Sequence, residues 1–516
     1  MGTFFSTISQ NMYFRPMIQQ GYLLGLDIGS SSVKASLVEV RTGRAVASCQ
    51  SPSSEMPMIA VQSGWAEQDP EMWWQHAVNS TRQCLQKSQI EPESVLAIGI
   101  AYQMHGLVVV DKNQHVLRPS IIWCDSRAVS FGEKAFHDLG ENYCLSHLLN
   151  SPGNFTASKL KWVKENEAKT FERIHKIMLP GDFIAMKLTG EIQTTETGLS
   201  EGVFWDFKEQ AVSGKLMDYY GIPPSLLAGV VPVFSVQGEL TKLAAEELGL
   251  QPGVKIAYRA GDQPNNAFSL NVLNPGETAA TAGTSGVIYS VTDKNSFDAD
   301  SRVNTFVHVT NGAKVRNGIL LCINGTGILN RWLNNNIQSA GDPYGYQRLN
   351  EIAAQAPIGS AGLVSLPFGN GAERILKNKE IGASFHGIDF NQHHQAHLFR
   401  AAQEGIVFSL KYGFDILEKM GSHSSVIRAG NANMFLSPLF REAFVNTTGL
   451  PLELYDTDGA KGAALGAGIG AGIYNSFKEA FDGLSMINSV EPDTSKQEQY
   501  RKAYLHWESV LQSFKI

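Results

Sequence analysis

Five cysteines in 516 residues (Cys49, Cys84, Cys124, Cys144 and Cys322) are odd in number and scattered, and none forms a C-x-x-C pair. They read as reduced, buried thiols of a cytoplasmic protein, which excludes a disulfide-stapled scaffold. No basic run stands out, and 42 Lys and Arg against 49 Asp and Glu leave a net charge of −7, so nucleic acid and anionic membrane are poor partners. No apolar run reaches the ~20 residues that a bilayer span needs. The longest run of tiny residues, Gly462–Tyr474 (GAALGAGIGAGIY), predicts instead a helix packed very closely on a sheet. Residues 1–20 lack a cationic start followed by a sustained apolar core, so they do not read as a secretory signal; a disordered leader is expected, with Met12 and Met17 as alternative starts. Neither G-x-x-x-x-G-K-[ST] nor G-x-G-x-x-G occurs, which argues against P-loop and dinucleotide-binding folds.

What is present suits large cores. Hydrophobic residues make up 43% and charged residues 18%, and the length calls for at least two domains. Ile256–Phe268 (IAYRAGDQPNNAF) is the stretch around which the rest is organised. A β-prone run ends in Ala260-Gly261, and Asp262-Gln263 follow directly. Pro264, with no N–H to give, is expected to stop regular structure there. A carboxylate at a strand end beside a glycine suits a general base; it also suits an Asx-type turn that bonds only its own backbone.

Polar strand ends recur on both sides of it. Tyr22–Gly29 is a buried strand that turns at Gly29-Ser30-Ser31-Ser32 into Val33–Val40, so backbone N–H groups and hydroxyls share one concavity, an anion site or an ordinary hairpin. Asp27, just before that turn, can hold a divalent cation through water. Asp69 and Pro70 start a helix carrying Trp74, Ala77, Val78, Thr81 and Leu85 at helical spacing. Trp65 and Glu67, ahead of it, can wall a polyol site. The strand Ala97–Gln103 ends in Gln103-Met104-His105-Gly106, a hairpin is expected over 107–117, and Ile121–Cys124 ends in Asp125-Ser126-Arg127. Such strand ends are where α/β sheets bind ligands. Ser158–Arg173 reads as one amphipathic helix.

Residues 281–290 (TAGTSGVIYS) match 27–36 (DIGSSSVKAS) at a constant offset of 254, with Gly29/Gly283, Ser31/Ser285, Val33/Val287 and Ser36/Ser290 identical. Two such turns facing one another would hold a polyphosphate; chance or common hairpin chemistry would also produce the match. Later, a long helix is expected over 397–420. A strand over 426–429 leads into Gly430-Asn431-Ala432-Asn433, and a Gly/Ala helix near 460–474 follows. A glycine turn with amides beside such a helix can admit a flat adenine, or the small residues serve tight packing alone.

From about Tyr22 to its end the chain resembles the FGGY family of carbohydrate kinases, and within it most closely the xylulokinases. Asp27–Ser32 is similar to the family's first phosphate turn and Gly283–Gly286 to its second. Gly261-Asp262 resembles the catalytic-base segment and Gly430–Asn433 the adenosine turn. Thr156–Asn166 is similar to the first family signature, departing from its opening at Asn154, and Ala383–Glu404 resembles the second, departing at Gln403. Gln103–Gly106 is similar to the xylulokinase loop whose Met and His contact the sugar, whereas Gln263 stands where those enzymes usually have Asn.

The resemblance implies two ribonuclease-H-like (actin-like ATPase) α/β domains around a central cleft, here 21–268 for sugar and the first phosphate turn and 269–516 for nucleotide. It implies ATP-dependent phosphorylation of D-xylulose, or of ribulose, a gluconate or a small polyol. Asp262 would be the base and Asp27 the Mg²⁺ carboxylate. Met104, His105, Gln263, Gln103 and Trp65 would bind sugar. Gly29, Ser30, Ser31, Gly283, Thr284, Ser285, Gly430, Asn431 and Asn433 would bind nucleotide. The expected partners are a small ketose and ATP, with no nucleic acid or membrane, and a homodimer is a possible assembly.

Overall fold

A computed structural model describes residues 21–337 and 345–515; the expected leader lies outside the described residues. The first sheet has five strands: β1 (Tyr22–Ile28), β2 (Val33–Glu39), β3 (Ala45–Ser51), β4 (Val95–Tyr102) and β5 (Lys255–Gly261), in the order β5-β4-β1-β2-β3. β1, β2 and β3 are antiparallel neighbours, while β4 and β5 run parallel to β1. The second sheet holds β6 (Glu277–Ala282), β7 (Gly286–Thr292), β8 (Asn304–Val307), β9 (Asn317–Ile323), β10 (Val426–Gly430), β11 (Leu452–Tyr455) and β12 (Met486–Val490). Its order is β8-β9-β7-β6-β10-β11-β12, with β6, β7 and β9 antiparallel and β10 and β11 parallel to β6. Inside the added edge strands the two sheets therefore repeat one topology, that of the actin-like ATPase fold.

The repeated sequence occupies the same hairpin in both sheets, but the second turn is one residue shorter. Asp27 pairs with Lys34 in the first hairpin, whereas Thr281 pairs with Val287 in the second, so the pairing slips by one residue against the constant offset.

Helix α1 (Pro70–Ser88) begins as its sequence dictates, with Asp69 accepting from the N–H of Glu71 at 3.0 Å and Pro70 in the first turn. Two expectations fail locally. The helix expected over Ser158–Arg173 is two: α2 (Thr156–Asn166) and a short turn at Ala168–Phe171. Glu167 breaks them at φ −131° and ψ 53°, and its carboxylate pairs with Arg118 at 3.1 Å. The hairpin expected over 107–117 does form, as a short one: Val110 bridges Val116, the Leu117 N–H donates to the Val109 carbonyl at 3.0 Å, and Asp111 gathers the turn amides of Asn113 and His115. Its first arm, Val108–Val110, also pairs with Lys176–Met178. Pro264 does not stop regular structure: β5 runs straight into helix α3 (Asp262–Ser269). In the first turn of a helix the missing N–H has no intrahelical partner to lose, so proline is tolerated. Of the cysteines expected to be buried, Cys84 and Cys144 are, whereas Cys49 and Cys322 are half-buried and Cys124 is exposed.

Helix α4 (Gly327–Asn336) packs against the 25-residue helix α5 (Gln395–Lys419), which lies on the second sheet against β7 and β9. Helix α6 (Gly459–Gly470), the run of tiny residues, leaves the second half and packs on the first sheet against β1, β4 and β5. The approach is so close that a Cβ on Gly25 would lie 1.8 Å from the Ala460 carbonyl oxygen, and one on Gly99 1.9 Å from that of Ala463. The small residues serve this packing. No helix among the described residues is long and apolar enough to cross a membrane.

Candidate active site

The two expected carboxylates come together. Asp27 is the penultimate residue of β1, and Asp262 is the first residue of α3, directly after β5. Each keeps a partly accessible face, yet both sit deep in the protein. Burial first, and then the Asp27 charge, push Asp262 up to about 7; hydrogen bonds from Gln263 oppose this. Burial, then Asp458, push Asp27 up to about 6, with Lys34 opposing. A carboxylate that titrates near neutrality is matched to proton abstraction at physiological pH.

Asp458 has no counterpart among the sequence-derived candidates. It caps α6 by accepting from the N–H of Lys461 at 2.9 Å and brings Gly459 against Asp27, where a Cβ would lie 2.3 Å from Oδ2. Asn265, fully buried on α3, donates to the Gly459 carbonyl at 2.9 Å and so clasps the two helices. The only local signal was an Asp-Gly pair ahead of a small-residue run, which marks a cap and not a carboxylate partner.

The loop after β4 abuts the same centre. A Cβ on Gly261 would lie 2.7 Å from Cγ of Met104 and 2.5 Å from Oε2 of Glu201, so glycine there lets the loop meet the carboxylate segment. Glu201, also unforeseen, is a buried acid whose pKa burial raises well above the usual range. Gln103 anchors the loop start, its N–H donating to the Ile28 carbonyl at 2.8 Å. His105 takes the left-handed backbone at φ 63°, and its Nδ1 lies 2.8 Å from the Glu201 carbonyl oxygen. A carbonyl only accepts, so Nδ1 carries the proton; burial pushes the ring down to about 3, and Nε2 is left as an acceptor. Phe155 and Phe306 pack on the ring at 4.8 and 5.4 Å. Buried oxygens of Gln103, Gln263, Asn265 and Asn154 lack protein partners, which fits a ligand rich in hydroxyls.

Trp65 lies under the Arg127 guanidinium, 3.8 Å from the ring centre, and edge-on to Trp162 at 5.3 Å. Glu67 does not wall an open site: Arg118 and Arg127 both ion-pair with it. Asp125 and Arg127 likewise close on each other, Arg127 Nη2 donating to Oδ2 at 2.6 Å, so this strand end braces Trp65.

The candidate nucleotide residues fall into two groups. Gly29, Ser30 and Ser31 form the β1–β2 turn; the Ser30 carbonyl accepts from Gln68 at 2.7 Å and its hydroxyl from Trp123 at 3.2 Å. Gly283, Thr284 and Ser285 form the β6–β7 turn, where the Gly283 and Thr284 carbonyls accept from the N–H groups of Gly327 (2.9 Å) and Ile328 (3.2 Å) at the start of α4. Asn433, at φ 54°, faces Gly283, with its Nδ2 at 3.5 Å from where a Cβ would stand. Gly430 ends β10, and the Asn431 N–H donates to Tyr455 at the end of β11, at 3.0 Å.

Among the described residues, no group of three or more His, Cys, Asp or Glu converges closely enough to hold an ion unaided. Two carboxylates held near one another at raised pKa are nevertheless a hard-oxygen set. It suits magnesium, which keeps several waters and takes one or two carboxylates plus phosphate oxygens.

Models of the N-terminal and C-terminal domains of the FGGY family of carbohydrate kinases match residues 22–269 and 278–473. A xylulose kinase from Bacillus subtilis (strain 168) is 28% identical over 451 residues, spanning 86% of this chain and 87% of its own length. The crystal structure of xylulose kinase from Rhodospirillum rubrum has a TM-score of 0.85 at 24% identity, covering 96% of this chain and 99% of that one. That of gluconate kinase from Lactobacillus acidophilus has a TM-score of 0.86 at 23% identity, covering 96% and 98%.

Proposed function

Because the chain belongs to the FGGY family of carbohydrate kinases, we propose that it transfers the γ-phosphoryl group of ATP to the C5 hydroxyl of D-xylulose, giving D-xylulose 5-phosphate and ADP in the cytoplasm. The observation that carries the reading is Asp262. It is an acid at a strand-to-helix junction, raised to about 7 beside Asp27, with the Met104–His105 loop packed on the glycine before it. The similarity to enzymes named xylulose kinase supports the choice of sugar.

In this reading residues 21–268 hold the sugar and 269–516 the nucleotide, with α6 crossing between them. His105 accepts a sugar hydroxyl at Nε2, Gln103 and Gln263 fill their vacant acceptor positions, and Trp65 walls the site. Asp262 takes the C5 hydroxyl proton as the bond from that oxygen to phosphorus forms and the bond from phosphorus to the bridging β-oxygen breaks. Backbone donors at Gly283–Ser285 and Gly29–Ser31 orient the phosphates, and Gly430, Asn431 and Asn433 take the adenosine. Positioning and electrostatics carry most phosphoryl-transfer catalysis. Asp27 would hold magnesium, which would supply charge neutralisation to the phosphates. A coupled ADP-release assay across ketoses, aldoses and polyols tests the proposal: xylulose should give the highest kcat/KM. A gluconate or a small polyol in first place would favour the second reading, which Gln263 and the fold shared with gluconate kinase support.

A further inference from the structure

Lys159 is wholly buried on α2, and a buried cation is expensive to hold without partners. The Asp125 carboxylate, whose charge it feels, is already bound by Arg127. Lys159 Nζ donates instead to two backbone carbonyls, that of His105 at 2.8 Å and that of Ile122 at 3.0 Å. Both carbonyls sit at strand ends that carry site residues. His105 belongs to the loop after β4, in a left-handed conformation that a side-chain-bearing residue adopts only when its surroundings hold it there. Ile122 precedes the Asp125–Arg127 brace under Trp65. An apolar side chain of equal length would fill the space without desolvating a charge, so packing alone does not call for lysine here.

We propose that Lys159 is a positioning residue for the sugar: by bonding the His105 and Ile122 carbonyls together it fixes the imidazole and the Trp65 wall in one arrangement, and so sets sugar affinity rather than the chemical step. This rests on the reading that His105 binds the sugar. The charged and titratable groups facing the ammonium are Asp125, Cys124, Arg127 and His105. Burial brings Lys159 down to about 7, so its charge fades above neutrality, and a neutral amine makes weaker bonds to carbonyls.

The test is steady-state kinetics of the full chain with Mg·ATP and whichever sugar the wild type phosphorylates best, for wild type, Lys159→Met, Lys159→Arg and His105→Ala. Lys159→Met should raise the sugar KM on the order of tenfold, the loss of two hydrogen bonds, with kcat and the ATP KM nearly unchanged. Wild-type sugar KM should climb severalfold between about pH 7 and pH 9, and Lys159→Arg, which keeps its charge, should flatten that climb. Equal losses in kcat and both KM values for Lys159→Met, or no loss, would overturn the proposal. If Lys159→Met does not fold, parallel pH profiles for wild type and Lys159→Arg overturn it. If neither variant folds, a flat wild-type profile does. If His105→Ala raises the sugar KM while Lys159→Met does not, only the role of Lys159 falls; if neither raises it, the sugar loop itself is misassigned.

Discussion

Where β1 turns into β2, the strand carries Asp27, and its neighbours are Asp262, Asp458 and Lys34. Where β6 turns into β7, the matching position is Thr281, and the turn's carbonyls are bound by the first N–H groups of α4. One frame thus serves two purposes. The first half gathers negative charge in a place that resists it, and the second offers an uncharged, backbone-lined turn faced by Asn433. A duplicated topology fixes where strand ends lie; the residues placed there decide what charge each half presents.

The sharpest break of this asymmetry is Asp262→Asn. It keeps the side chain's size and removes only the base, so kcat should fall about 10²–10⁴-fold while calorimetric Kd values for sugar and nucleotide change far less. A fall below about threefold would return Asp262 to the role of a turn residue. Next in size is Gly25→Ala, which puts a methyl group onto the Ala460 carbonyl and drives α6, with Gly459, away from Asp27. A loss of about 3 kcal/mol in denaturant unfolding is expected, an overpacking effect that the second sheet, which lacks α6, would not reproduce. His105→Ala should cost about 0.5–1.5 kcal/mol, read as a higher sugar KM and weaker discrimination among ketoses, with the ATP KM unmoved.

The smallest effect is on stability. Asp27 and Asp262 titrate higher in the folded chain than an ordinary aspartate, so folding favours their protonated forms. Their contribution is fully present below the ordinary aspartate range and is lost as pH rises through about 6 and about 7. Asp262→Asn should therefore raise Tm of the ligand-free protein slightly at pH 8 and leave it unchanged near pH 4. An Asx-turn role for Asp262 predicts a lower Tm instead.

Much of this was readable from single segments, because strands that end in Gly, Asp or Ser announce themselves locally. Asp27, Asp262, the Met104–His105 loop and both phosphate-type turns lie at such ends. Pro264 misled because a proline is read as a stop, while the first helical turn accepts one. Glu167 and Glu67 were invisible as ion-pair partners, since Arg118 and Arg127 reach them from across the fold. The close contact of Gly25 with Ala460 joins residues too far apart for any local pattern to connect. For the same reason Asp458, Lys159 and Glu201 were not singled out from the sequence.

The central claim is that Asp262 is the base and that Asp27 helps to lift it into the neutral range. The pH profile of kcat/KM for the sugar, in wild type and Asp27→Asn, tests this most directly. An acid limb with an apparent pKa near 7 is expected in wild type, moving lower once the neighbouring charge is gone. A wild-type limb at the ordinary carboxylate value, or one that Asp27→Asn leaves in place, would contradict the account.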